Sequence, residues 1–382
     1  ATVIEPLRDK CIEVKAAALS LAKKGEIKKA EAELKAFHLE LSKTRVLDPA
    51  CGAGNFLYIA LEHMKRLEGE ILEVISDLGN ERYLIDPKNP SVNPDQFCGI
   101  EVNPRAIAIA EVVLWIGYIQ WHFRTRGATK PTEPILRDIK NIEGRDALLT
   151  WRATKPVLDE RGKPVTRWDG FTTKLHPTTE RDVPDESARV PVLQYLSPKK
   201  AVWPAAEYIV GNPPFIGTAR MREMLGDGYT ETLRSIHGDV PESCDYVLYW
   251  WNHAAHLLRE GKIRSFGFIT TNSLRQTFNR RVLQAHMEAA PPVSLVYAIP
   301  DHPWVDSSDG AAVRISMTVA RLDEDEGHLH EVATETFRED ETVADIVLSS
   351  RRGKILPDLT IGPNLAGAVP LRANKRLSGR GV

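Results

Sequence analysis

From residue 5 to 44 apolar positions recur at helical spacing among Ala, Lys, Glu and Leu, and the single glycine, Gly25, divides two amphipathic runs. The pattern predicts a solvated helical hairpin packed by its Leu and Ala positions. From Arg45 it changes to short apolar runs alternating with helical stretches, as a parallel sheet requires. RVLDPA (45–50) predicts a strand and Asn55–Leu67 a helix, and FCGIEV (97–102) a second strand before a helix over Pro104–Gln120. A third strand falls at about 139–148 and a fourth at EYIVGN (207–212), followed by a helix over Tyr246–Arg259. RSFGFITT (264–271) is the fifth, with a helix through about Ala289, and SLVYAI (294–299) and AVRISMTVARL (312–322) supply two more. With no helix between them, these last two predict an antiparallel pair at the sheet's edge.

Two stretches interrupt the rhythm. Residues 151–205 are rich in Pro, Thr, Arg and Lys and are too long for an ordinary connection, so they read as a functional insertion or a partly disordered one. Residues 69–95, with Pro and Asn near their end, read as a second insertion.

Composition places this pattern in an ordinary globular protein, with 42% hydrophobic and 27% charged residues. At about 150 residues per domain, 382 residues allow between two and three domains. Fifty Lys and Arg against 52 Asp and Glu give a net charge of −2, which excludes a uniformly basic nucleic-acid binder. The sum conceals segregation. Residues 121–200 carry 16 basic and 11 acidic groups, residues 321–345 two and ten, and residues 350–382 seven and one. No apolar run approaches the 18 residues of a spanning helix, and the start has no signal-peptide core, so no membrane association is expected. Cys11, Cys51, Cys98 and Cys244 lack zinc-ligand or dense disulfide spacing, which fits a reduced, cytoplasmic compartment. The chain does not open with Met, which suggests a processed start.

The first strand runs into Asp48-Pro49-Ala50-Cys51-Gly52-Ala53-Gly54-Asn55-Phe56. An acid at a strand's carboxyl end, a G-x-G turn and a following helix make a small-ligand site, because the glycines admit close backbone approach and the helix presents free N–H groups. Leu57 stands where a dinucleotide fingerprint needs Gly or Ala, and the Lys of a phosphate-binding P-loop is absent. A nucleoside-type ligand with a charged amino-acid end remains. The second strand ends in Gly99-Ile100-Glu101-Val102-Asn103-Pro104, whose carboxylate can accept both hydroxyls of a ribose, although a surface Glu reads equally well.

Gly211-Asn212-Pro213-Pro214-Phe215 closes the fourth strand. Two prolines fix φ near −65° and remove two donors, and the preceding Asn is held extended. The rigid turn presents an Asn oxygen and free carbonyls beside an aromatic ring, which suits an exocyclic amine on a flat base.

Together these motifs resemble the amino-methyltransferases that act on adenine in DNA, in their gamma arrangement, and more closely the MmeI-like methyltransferases of fused type II restriction–modification enzymes. The likeness rests on VIEPL (3–7), DPACGAGNFLYIALEHMKRLE (48–68), GIEVNPRAIAIAEVVLWIGYIQW (99–121), NIEGRDALL (141–149) and GNPPFIG (211–217). DYVLYWW (245–251), TTNSLRQ (270–276) and DGAAVRISM (309–317) extend it over most of residues 3–320.

The resemblance implies a Rossmann-like class I S-adenosylmethionine-dependent methyltransferase fold of the α/β class: a mostly parallel seven-stranded sheet, helices on both faces and an antiparallel edge strand. It implies a helical arm over 1–44, a catalytic domain over 45–322 with the two insertions, and an extension over 323–382 leading to a target-recognition domain. Asp48, Gly52 and Gly54 would hold S-adenosyl-L-methionine by its methionyl end, with Ala50, Asn55 and Phe56 of the same motif beside them. Glu101, next to Val102, would take the ribose, and Asp146, next to Ala147, the adenine; Asn212 would also border the cofactor. Asn212 and the Pro213 carbonyl would accept hydrogen bonds from the amine of a flipped adenine in double-stranded DNA, with Pro214 shaping the turn and Phe215 stacked on the base. No metal is implied.

The family's Gly-Ser-Gly is Gly-Ala-Gly here, and its Phe-Thr-Ser-like cofactor segment, expected just before VIEPL, is not present. A recognition domain, and a nuclease if one is fused, would lie elsewhere on a longer polypeptide; Glu160–Lys163 reads as solvated loop charge rather than a nuclease motif. His253, His256, Trp115, Trp121, Arg275, Arg280 and Arg281 read as packing or surface residues, whereas Tyr229, Trp304 and the 216–240 loop are expected either to line the base pocket or to plug the gap left in the DNA. Two other readings stay open: methylation of a protein glutamine amide or of RNA, and an inactive methyltransferase-fold module that binds DNA.

Overall fold

The computed structural model describes residues 1–80, 82–86, 88–126, 140–170, 172–179, 181–304, 313–322, 324–336 and 345–363. Its chain order begins with helices α1 (Ile4–Lys23) and α2 (Ile27–Lys43), strand β1 (Val46–Asp48), helix α3 (Asn55–Asp77), strand β2 (Phe97–Glu101) and helix α4 (Pro104–Arg126). Strands β3 (Ile142–Gly144) and β4 (Tyr208–Gly211), helices α5 (Asp227–Ile236) and α6 (Val247–Arg259), strand β5 (Ser265–Thr271) and helix α7 (Arg280–Met287) follow. Strands β6 (Val293–Trp304), β7 (Val313–Leu322), β8 (Gly327–Thr336) and β9 (Asp345–Gly353) complete it.

The nine strands form one sheet in the order β9-β8-β6-β7-β5-β4-β1-β2-β3. The half from β3 to β5 is parallel, and β7 runs antiparallel to both β5 and β6. Alternation along the central strands explains the layers. Val46, Phe97 and Tyr208 enter a core with α1 to α4, while Leu47, Cys98 and Ile209 enter a second core with α5 to α7. Helices therefore cover both faces, as the class requires.

The sheet departs from the expected one at its end. The late antiparallel pair is not the edge, because β8 adds to β6 in parallel (Tyr297↔His328, Ala298↔Leu329) and β9 pairs with β8. The acid-rich stretch 321–345 hid the alternation of β8, and Ile355, Leu356 and Leu359 bring the chain after β9 back onto the core. The described part of 323–382 thus belongs to the same sheet. Strand β6 also outruns its predicted end at Ile299, passing Pro300 and Pro303 because its register shifts there. Helix α3 continues ten residues beyond Leu67, to Asp77, so residues 69–77 are helix rather than insertion. The start of the predicted third strand, residues 305–312 and the chain beyond 363 lie outside the described residues.

Over Pro104–Arg124, helix α4 is long and apolar enough to cross a bilayer by length and composition alone, since Arg105 and Glu111 interrupt the apolar run without lowering its mean hydropathy far. Its inner face, through Ala110, Leu114 and Tyr118, is core.

The described residues of 149–200 form an arm of nested antiparallel pairs. Leu149–Thr150 pairs with Lys199–Lys200, Ala153–Pro156 with Leu193–Leu196, Thr166–Trp168 with Arg189–Pro191, and Thr173–Leu175 with Asp182–Pro184. One side of the ribbon is anchored on α5, where the Tyr195 ring meets Tyr229 edge-on at 5.9 Å. The rest is largely exposed, which is why no core periodicity appears in its sequence.

Candidate active site

Parallel strands leave their carboxyl ends together at one edge of the sheet, and four turns converge there. The turn after β1 is built on Gly54, which caps α3 at φ +82° and faces α4 so closely that a Cβ would lie 3.0 Å from Ala110 Cβ. Asp48 is buried, and its Oδ1 accepts the Ala50 N–H at 3.0 Å. Burial pushes its carboxyl up to about 7, with the Glu101 charge adding to the rise against that single backbone donor. Gly211 makes the room: a Cβ there would stand 2.8 Å from Asp48 Oδ1.

Glu101 ties the first two turns together. Its Oε2 accepts from Gly52 N at 2.9 Å, and its Oε1 accepts from Val102 N and Asn103 N at 2.8 Å each. Asp146, just past β3, accepts Leu148 N and Leu149 N on Oδ1 at 2.7 and 2.8 Å. Its Oδ2 accepts the Tyr229 hydroxyl at 2.8 Å, which lies 2.9 Å from that of Tyr246. Burial raises both phenols far above the ordinary range, so they stay neutral donors.

At the fourth turn, the Asn212 Oδ1 atom is buried without a hydrogen-bond partner. A buried amide oxygen left unpaired costs about 1–3 kcal/mol.

A cavity of about 570 Å³ joins these turns, lined among others by Ala50, Glu101, Val102, Asp146, Ala147, Asn212 and Pro214. Asp48, Gly52, Gly54 and Asn55 shape the first turn without lining the cavity. Phe56 instead lines a separate apolar cavity with Thr2 and Val3, and Phe215 is half-buried away from the lining. Tyr229 lines the cavity as placed, but its hydroxyl goes to Asp146 rather than to a base pocket at Asn212. Trp304 does not line it. Arg145, Tyr246 and Trp250, given no role from sequence, also line it; the NIEGRDALL and DYVLYWW likenesses were the signals, and Trp250 Nε1 donates to the Pro49 carbonyl at 3.0 Å. A cavity of similar size, about 600 Å³, lies around Trp203 and His253 and holds none of the motif residues.

The model of the MmeI DNA-methyltransferase domain matches residues 23–330, most of the chain. The chain belongs to this family. DNA methyltransferase A of Bacillus subtilis is 25% identical over 238 residues, 62% of this chain and 22% of that protein. A putative type II restriction enzyme and methyltransferase of Methanocaldococcus jannaschii is 29% identical over 119 residues, 31% of this chain and 10% of that protein. Among solved structures, the type IIL restriction–modification enzyme MmeI in complex with DNA superposes with a TM-score of 0.61 at 22% identity, covering 92% of this chain and 41% of that one. The chain therefore spans well under half the length of these relatives. Family membership and superposition together make the sheet that of a class I methyltransferase.

Proposed function

We propose that the chain transfers a methyl group from S-adenosylmethionine to the N6 amine of adenine in DNA, as the modification part of a cytoplasmic restriction–modification or phage-defence enzyme. The observation that carries this reading is the buried, unpaired Asn212 Oδ1 on a cavity shared with Glu101 and Asp146. The lining residues fit the cofactor, Glu101 suiting the ribose and Asp146 the adenine, while Asp48, buried beneath the first turn, acts on the methionyl end through the Ala50 N–H it holds. S-Adenosylmethionine, when bound, supplies a methyl group on a positively charged sulfur, already activated toward attack.

The chain's own residues hold the other reactant. An adenine N6 lone pair is delocalised into the ring, and hydrogen bonds donated by its two N–H groups to Asn212 Oδ1 and the Pro213 carbonyl favour the pyramidal, nucleophilic amine. The two prolines keep those acceptors in place, so orientation rather than a basic side chain lowers the barrier. The Trp250–Pro49 and Tyr229–Asp146 contacts brace the cavity walls.

With labelled methyl groups and duplex DNA, Asn212→Ala is expected to lose at least about 100-fold in transfer, while calorimetric cofactor affinity stays nearly unchanged. Full activity overturns the assignment. Digestion of the product should yield N6-methyladenine; methylated cytosine, RNA or glutamine overturns the choice of substrate.

A further inference from the structure

We propose that the 149–200 arm is a DNA clamp, whose cations grip the phosphate backbone beside the cavity mouth. This rests on the DNA-methyltransferase reading and locates duplex binding that the cavity itself does not supply.

Position comes first. The arm leaves the sheet directly after Asp146 and Ala147 and returns alongside Leu148 and Leu149, where Ala201 N donates to the Leu148 carbonyl at 3.0 Å, so its base sits beside the third site turn. Its middle braces the cavity wall: Arg167 Nη1 donates to the Glu223 carbonyl at 2.9 Å, and a Cβ on Gly170 would stand 2.6 Å from that same oxygen. Met224, Leu225 and Tyr229, which follow, line the cavity. The arm therefore flanks the cavity wall.

Charge comes second. Arg152, Lys155, Arg161, Lys163, Arg181 and Lys199 are exposed and make no ion pair among the described residues. Over 149–200 the arm carries ten basic and seven acidic residues, an excess of three positive charges. Asp159 accepts Arg161 N and Lys163 N, Asp169 caps Thr172, and Asp185 takes Ser187 and Lys174, so the fold holds these carboxylates in fixed places while they keep their charge. The return half of the arm, from Asp182 to Lys200, is four short strands with turns between them, so it spans less than the roughly 60 Å of a fully extended chain at 3.3 Å per residue. A duplex places one charge per about 1.7 Å of axis, so a part of that length still runs past many phosphates.

The test measures binding of the chain to a fluorescein-labelled duplex of arbitrary sequence across a salt series. Each lost phosphate contact lowers the slope of log K against log salt by about 0.9. The variant K155Q/R161Q/K163Q/R181Q should flatten the slope by about 2–4 and weaken binding at least about tenfold at low salt. A control with the same charge change on the helical hairpin, K23Q/K24Q/K28Q/K43Q, should leave the slope within about 0.5 of the original. An unchanged slope in the arm variant, or an equal change in the control, overturns the clamp while leaving the methyltransferase reading intact. Failure of the unaltered chain to bind duplex at all would remove the clamp together with the DNA reading, and cofactor calorimetry then separates that outcome from a misfolded chain.

Discussion

Substitution of Gly54 by Ala isolates the close approach on which the first site turn depends. Two glycines share nearly the same backbone: Gly25 in the α1–α2 turn at φ +80° and Gly54 at φ +82°. A Cβ at Gly25 meets nothing within 4 Å, whereas at Gly54 it meets Ala110 Cβ at 3.0 Å and Cα at 3.1 Å. Both variants bear the left-handed backbone cost of about 1–2 kcal/mol. Ordinary carbon contacts lie at about 3.5–4.0 Å, so α3 and α4 must separate by about 0.5–1 Å only in Gly54→Ala. Overpacking of this kind costs about 1–3 kcal/mol more. Guanidinium unfolding should therefore show a loss of about 2–5 kcal/mol for Gly54→Ala against about 1–2 for Gly25→Ala. Ala110→Gly alone should cost about 1 kcal/mol as a mid-helix glycine, and combined with Gly54→Ala it should show a coupling of about 1 kcal/mol in the stabilising direction. Equal losses for the two glycines, or zero coupling, would refute the packing argument.

Asp48 is a buried acid with a raised folded pKa of about 7 against an ordinary 3.8, so the folded state holds its proton while the unfolded state releases it. Without cofactor, stability should fall as pH rises from about 4 to 7, by up to about 4 kcal/mol, and Asp48→Asn should flatten that slope while abolishing calorimetric cofactor binding; a parallel pH profile in the variant argues against it. Glu68 is buried with Lys65 at 2.7 Å and His38 at 3.1 Å, and these partners hold its carboxyl near 2 although burial alone would raise it. Lys65→Met should cost about 3–5 kcal/mol at neutral pH by stranding that charge, and Lys65→Met with Glu68→Leu should recover most of the loss in thermal unfolding. Tyr229→Phe removes the donor to Asp146 Oδ2; cofactor affinity should weaken about fivefold to tenfold with stability lowered by about 1 kcal/mol, and an unchanged Kd would dissociate that tyrosine from the cofactor end.

The likeness of 23–330 to the MmeI family was legible because its marks are local. The Asp48–Gly54 turn and the Asn212–Phe215 turn each lie within one short peptide, where φ restrictions, missing donors and strand endings are properties of the residues themselves. The central strands themselves followed from apolar runs buried on both faces, which read as runs whatever surrounds them, whereas their order in the sheet came only with pairing. Other features depend on distant partners. Trp250 reaches Pro49 only after α6 packs over the sheet, and Tyr229 reaches Asp146 only when α5 folds back beneath the arm. Strands β8 and β9 carry exposed, charged faces, so their place at the sheet's edge is a matter of pairing and not of pattern. The arm is the extreme case: a solvated ribbon buries too little to leave a periodic trace, and backbone pairing alone gave it shape. Sequence by itself therefore determined the fold family and two chemical turns, while tertiary structure decided which side chains close the cavity and left Asn212 Oδ1 buried without a partner, because hydrogen-bond satisfaction is settled only when the whole chain has packed.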